Sequence, residues 1–112
     1  MKTEPTHIVF ISKRRLGRDW QGCGETRSGE IVFRTIDHDS LPFAIGRDVF
    51  YNAGPCDRTV TFSRDNPRET LRRLSVAKVI SIDWKRRRVT LQEAAIKLTI
   101  DFDDVAAVGG RL

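Results

Sequence analysis

The chain has 112 residues, of which 39% are hydrophobic and 31% charged, and its formal net charge is +5. This length fits one domain, and the composition excludes an intrinsically disordered chain. Apolar runs such as Ile8 to Ile11 are far shorter than the roughly 18 residues of a membrane helix. Residues 1–5 lack the apolar core of a signal peptide, so we expect a cytoplasmic protein with no membrane partner.

The first half of the chain alternates apolar and polar residues, which is typical of half-buried strands. Four strands are predicted, at residues 7–13, 29–36, 48–52 and 58–63. A loop rich in glycine and charge separates the first two, and Gly54-Pro55 ends the third.

A short helix is predicted near residues 67–74. Asn66 can cap its free amides, Pro67 suits the first helical position, and Glu69 has capping-box spacing. Leu71 and Leu74 would share its inward face.

The last third predicts a meander. Residues 80–84 and 89–91 alternate on either side of a basic turn, and residues 96–103 form the clearest strand. Asp103-Asp104 then predict a capped helical turn over residues 105–108, ended by Gly109-Gly110.

Seven short strands and one helix predict a mainly β (β-rich α+β) fold in a single domain, residues 1–112. We expect a small barrel or a strongly bent antiparallel sheet, with residues 76–108 as a C-terminal hairpin and strand extension.

The positive charge is concentrated in two segments. Residues 1–28 carry six basic and three acidic side chains, and residues 64–88 carry nine and three. Such segregation favours a polyanionic partner, although lysine and arginine also serve solubility.

No catalytic or metal-binding constellation is evident. His38 lies between Asp37 and Asp39, but no nucleophile is placed beside it, and this pattern is ordinary for a turn. Cys23 and Cys56 lack the paired spacing of zinc ligands and are expected to be free thiols. We therefore expect a protein that is not an enzyme and that has no metal or other cofactor.

Aromatic residues interleaved with basic ones are the strongest functional signal, because bases stack on rings while cations follow the phosphates. Trp20 and Tyr51 are predicted to be exposed, and Trp84 opens a run of four basic residues. The candidate nucleic-acid-binding residues are Arg14, Arg15, Arg18, Trp20, Phe50, Tyr51, Trp84, Lys85, Arg86, Arg87 and Arg88.

Three segments, at residues 28–33, 46–52 and 58–62, carry glycine-aromatic, Asp-Val-Phe and Val-x-Phe patterns. Over about residues 6–83 the chain resembles the cold-shock domain, an OB-type five-stranded barrel. The resemblance implies that Phe33, Phe50 and Tyr51 stack on bases. Glu30, Val32 and Asn52 depart from the family pattern, and the final hairpin has no counterpart in it.

The sequence thus predicts a small barrel that binds nucleic acid, with single strands favoured and low sequence specificity. The alternative is a protein-binding regulator or phage-type inhibitor, which would place the same basic face on an acidic protein surface of a nucleic-acid machine.

Overall fold

A computed structural model describes residues 7–16, 31–52 and 65–111 of the chain. Seven strands lie within them: β1 (His7–Ser12), β2 (Ile31–Ile36), β3 (Asp48–Tyr51), β4 (Ser75–Asp83), β5 (Arg88–Glu93), β6 (Ile96–Asp101) and β7 (Val105–Arg111). The helical segments are α1 (Lys13–Leu16), α2 (Pro67–Arg72) and two 3-10 turns, His38–Ser40 and Phe102–Asp104.

The strands form one mixed sheet in the order β2-β1-β7-β3-β4-β5-β6. Strands β1 and β2 are parallel, and every other pair is antiparallel. The prediction of a mainly β fold is confirmed, but the barrel is wrong, because β2 and β6 do not pair with each other in the described chain. The sheet is also not purely antiparallel.

Two hydrophobic clusters cover opposite faces of the sheet. On one face, buried residues of β3, β4, β5 and β7 pack with Leu41, Phe43 and Phe102. On the other, Val9, Ile11 and Phe33 pack with Leu71 and Leu74 of the α2 region. We refer to them as the loop face and the helix face.

Helix α2 begins as its sequence predicts. The Asn66 side chain accepts a hydrogen bond from the Glu69 backbone amide at 3.4 Å, and its own amide donates to the Glu69 carboxylate at 2.6 Å. Leu71 and Leu74 are both buried. The helix is only six residues long, so its stability depends on this packing against the sheet.

The predicted helical turn at residues 105–108 is wrong, because this segment is the central strand β7. Residues Val105 to Gly109 are all buried, since β1 and β3 flank the strand and clusters cover both of its faces. A strand buried on both faces is a continuous apolar run without alternation, so its sequence does not show the strand period. Asp103 and Asp104 instead lie in the preceding 3-10 turn.

The other elements are close to expectation. The β4–β5–β6 meander is confirmed, and β1, β2 and β3 lie within the predicted ranges. The predicted strand at residues 58–63 lies outside the described residues, so the seven strands described there are not the same set as the seven predicted.

Candidate interaction surface at the β4–β5 turn

The turn between β4 and β5 spans residues 84–87 and carries four of the predicted binding residues, and a fifth, Arg88, begins β5. Asp83 holds it, because its carboxylate accepts a hydrogen bond from the Arg86 backbone amide at 3.0 Å. Arg87 has a φ of 56°, a left-handed conformation that is uncommon outside glycine. The backbone of the turn therefore has a defined conformation, and this conformation sets the directions in which its basic side chains leave the sheet.

Trp84 is 61% exposed, although it belongs to an aromatic group of three rings. Phe43 and Phe102 are buried and stack on each other with centroids 4.3 Å apart. The Trp84 ring meets both edge-on, at 5.6 Å from Phe102 and 6.4 Å from Phe43. Aromatic pairs of this geometry are attractive, so the buried rings orient the exposed one.

Arg87 links this aromatic group to a neighbouring charge network. Its guanidinium lies 5.3 Å from the Phe102 ring centroid, within cation–π range. The same guanidinium donates a hydrogen bond to Asp39 at 2.8 Å. Two contacts therefore hold the Arg87 head group against the protein.

Each arginine of the candidate set whose side chain is described lies within ion-pair distance of an aspartate. The shortest contact joins Arg14 to Asp103 at 2.7 Å, and Arg88 pairs across the strands with Asp101 at 3.1 Å. Arg86 is farther from its partner, at 3.9 Å from Asp83. Lys85 is exposed and has no ion pair among the described residues. Arg14, Arg86, Arg87 and Arg88, which the sequence assigned to phosphates, thus already have anionic neighbours.

His38 lies beneath this network and is buried. Its Nδ1 atom is 2.9 Å from the Ser12 hydroxyl, and its Nε2 atom is 3.3 Å from an Asp103 carboxylate oxygen. At that second distance an ion pair forms only when the imidazole is protonated, and Nε2 makes no hydrogen bond within the described residues.

Burial is the main reason why the pKa of His38 is lowered, and the Arg14 charge lowers it further. Asp103 and Asp39 oppose this shift, and Arg87 adds to it. The pKa of Asp103 is lowered too, chiefly by its hydrogen bond from Arg14. The network therefore holds a neutral imidazole beside an ionised carboxylate at neutral pH.

Ser12, His38 and Asp103 are the residue types of a hydrolytic triad. Their exposure is the reverse of that in a working triad, because here the serine is buried and the aspartate is exposed. Ser12 has no exposed surface, whereas the Asp103 side chain is 61% exposed. A nucleophile must reach its substrate, and the orienting carboxylate is the buried member of the working arrangement. In this conformation the group connects β1 to the 3-10 turns and offers no accessible nucleophile.

Tyr51 was expected to be exposed, and this is wrong. The residue is 4% exposed, and its hydroxyl donates to Glu93 at 3.4 Å. Burial, followed by the Glu93 charge, raises the pKa of this hydroxyl. Strand alternation explains the error, because Val49 and Tyr51 both point into the loop-face core.

The other candidates are dispersed. Phe50 is half-buried on the helix face, where Phe33 is buried, so neither lies beside Trp84. Arg15 lies in α1, and nothing is described of its side chain. Arg18 and Trp20 lie outside the described residues. Among the candidates that the structure describes, Trp84, Arg14 and the basic turn are the ones brought together.

Sequence reasoning missed Phe43, Asp39 and Asp103 as parts of this surface. Each comes from a segment distant from the turn, so no local pattern identifies it. The only available signal was the run of aspartates around His38 and after β6, which are ordinary turn and cap residues.

Within the ranges that the structure describes, no group of three or more histidine, cysteine, aspartate or glutamate residues is arranged to hold a metal ion. The helices in those same ranges are too short and too polar to span a bilayer. The chain matches no protein-family model, and it has no significant similarity to a curated protein or to a solved structure.

Proposed function

We propose that this protein is a binding module for another protein and that Trp84 is the central contact residue. The observation that supports this most directly is an exposed indole on a buried aromatic base, surrounded by arginines that are each paired with an aspartate. Protein interfaces favour this combination of a large aromatic anchor, arginine and a polar rim.

Local charge favours a protein over a polyanion. Four arginines and four aspartates make up the pairs around Trp84, so their formal charges cancel. A nucleic acid is bound mainly through excess cationic charge that displaces counterions, and paired arginines supply less of it. We therefore place a protein partner first and nucleic acid second, which reverses the order expected from the sequence.

Single-stranded nucleic acid remains the second candidate, on one specific observation. Lys85 follows the exposed Trp84 ring directly and has no acidic partner among the described residues. An adjacent ring and cation can hold a base and its phosphate. The neighbouring ion pairs are exposed, each worth only about 0–1 kcal/mol, so phosphates can compete for their arginines.

The test of a protein partner is a pull-down from nuclease-treated extract with three forms of the full chain. Wild type is compared with Trp84→Ala and with Ile96→Ala, which removes a residue 67% exposed at the opposite end of the meander. We expect a defined protein to be retained by wild type and by Ile96→Ala and lost by Trp84→Ala. Equal retention by all three forms would contradict the role of Trp84.

A titration with single-stranded oligonucleotide across a salt series tests the second candidate. Binding through phosphates weakens as salt rises, with a slope in log–log form of about −0.7 per contacted phosphate. Asp39→Asn should strengthen such binding by releasing Arg87 from its 2.8 Å contact. No binding at low salt by either form would remove nucleic acid as a candidate.

A further inference from the structure

An apolar groove lies on the helix face, away from Trp84. It lies between α2 and the sheet and has a volume of about 380 Å³. Its lining consists of apolar side chains from four strands and the α2 region together with two arginines: Val9, Phe33, Phe50, Val76, Leu71, Leu74, Arg68 and Arg72.

One row of the sheet beside the groove contains a glycine in β7. Val9 pairs with Phe33 on one side and with Gly109 on the other. A Cβ atom at Gly109 would lie 3.5 Å from the Phe50 ring, so that ring occupies the space above the glycine. Val76, the cross-strand neighbour of Phe50, is 41% exposed and marks the open side.

Arg72, which is exposed, brings a positive charge to the rim of the groove. Arg68 and Arg72 are one helical turn apart on α2 and both line the groove. Arg73 does not line it and lies 3.4 Å from Glu69. An apolar floor with cations at one border is complementary to a ligand with an apolar body and an anionic end.

The volume of the groove and the pairing of the strands that line it both disfavour a peptide as the ligand. One turn of a helix, about 10–12 Å across with its side chains and about 5.4 Å long, occupies more than the groove volume of about 380 Å³. An extended peptide gains affinity by adding to a free sheet edge, but β1, β3 and β4, three of the four strands that line the groove, are paired on both sides. The volume falls instead in the lower part of the range for small-molecule sites, about 300–1,000 Å³.

We propose that this groove binds a small amphiphile with an aliphatic chain and a terminal carboxylate. The chain lies against Phe50, Leu74 and Val76, and the carboxylate pairs with Arg72. This site is on the opposite face of the sheet from the Trp84 surface, so either proposal can fail without the other.

Titration of the full chain with decanoate, followed by amide chemical shifts, tests the site. We expect saturable shifts at Phe50, Leu74 and Val76, with the Trp84 indole signal unchanged. Arg72→Glu should weaken binding by about tenfold, because it replaces an attraction by a repulsion. The matched control Arg73→Glu should leave the affinity within about twofold.

Two further measurements keep the proposal falsifiable. Val76→Trp should fill the groove and abolish binding, whereas Ile96→Trp, on an exposed strand position elsewhere, should not. Decanol should bind wild type more weakly than decanoate does. Because decanol carries no charge, its affinity for Arg72→Glu should equal its affinity for wild type. Shifts spread over both faces, equal losses in the two charge variants, or decanol binding as tightly as decanoate would each overturn it.

Discussion

The Nδ1 atom of His38 lies 2.9 Å from the Ser12 hydroxyl, and both side chains are buried beneath ion pairs that are themselves exposed. The contact joins β1 to the first 3-10 turn across 26 positions of sequence. A neutral imidazole therefore occupies a structural position, and its protonation carries a cost in stability.

Stability should fall on mild acidification because of His38. Its folded pKa is below the ordinary 6.5, so below that pH the unfolded chain binds the proton more readily than the folded one. The contribution of neutral His38 to the free energy of unfolding is complete above about pH 6.5, and it is lost as the pH falls toward the folded pKa of this residue. Urea unfolding at about pH 7.5 and about pH 5.5 measures the loss.

His38→Gln is the control for that measurement, because glutamine does not titrate. The difference between the two pH values should largely disappear in this variant. An undiminished difference would assign the pH dependence to another group. The lowered pKa of Asp103 acts in a separate window, below its ordinary value of 3.8.

Asp103→Asn should lower the pKa of His38 further. The carboxylate lies 3.3 Å from Nε2 and raises that pKa, while the Arg14 charge lowers it. Removing the negative charge leaves the opposing cation uncompensated. The titration midpoint of the His38 ring protons in NMR spectra measures the change, and an upward shift would contradict the described electrostatics.

Leu91→Ala should be among the more destabilising substitutions. Leu91 has no exposed surface and packs in the loop-face core, so truncation costs about 2–5 kcal/mol. Ile96→Ala, 67% exposed on the neighbouring strand, should change stability by about 0.5 kcal/mol or less. Urea denaturation of both variants gives the comparison, and similar losses would place Leu91 outside the core.

Ala94→Gly should stabilise the protein. Ala94 has a φ of 53° in the two-residue connection between β5 and β6, and a left-handed alanine costs about 1–2 kcal/mol. Glycine removes that cost but adds unfolded-state entropy, so the net gain should be about 1 kcal/mol or less.

Gly46→Ala is the reverse substitution at another left-handed position, and it should destabilise the protein. Gly46 has a φ of 88°, and no atom lies within 4 Å of the position of an added Cβ. Its loss of stability, about 1–2 kcal/mol, would come from the backbone alone. Thermal unfolding of the two variants should therefore shift in opposite directions.

The sequence predicts best what is determined locally. The β4–β6 meander follows from alternation and short turns, and α2 follows from Asn66, Pro67 and Glu69. Strand β7 could not be recognised, because its burial comes from β1 and β3, more than 50 positions away. The parallel pairing of β1 with β2 could not be predicted either, because alternation in a strand does not show whether its neighbour runs parallel or antiparallel.

The candidate site was predictable only in its cations and its indole. Trp84 stands out at the start of a basic run, but alternation cannot tell whether its ring is covered. The aspartates that pair with Arg14 and Arg87 are 89 and 48 positions away in sequence. The net charge of residues 64–88 therefore overstates the unpaired positive charge around Trp84, because aspartates from other segments neutralise part of it.

Strand β7 also determines the order in which the molecule can be assembled. It is the sole bridge in the described sheet between the β2–β1 pair and the β3–β4–β5–β6 block. The block contains local hairpins that can close early, whereas β1 must wait for a strand nearly a hundred residues later. Before that docking the inner edges of β1 and β3 are unpaired, so we expect this long-range step to carry the greatest risk of self-association.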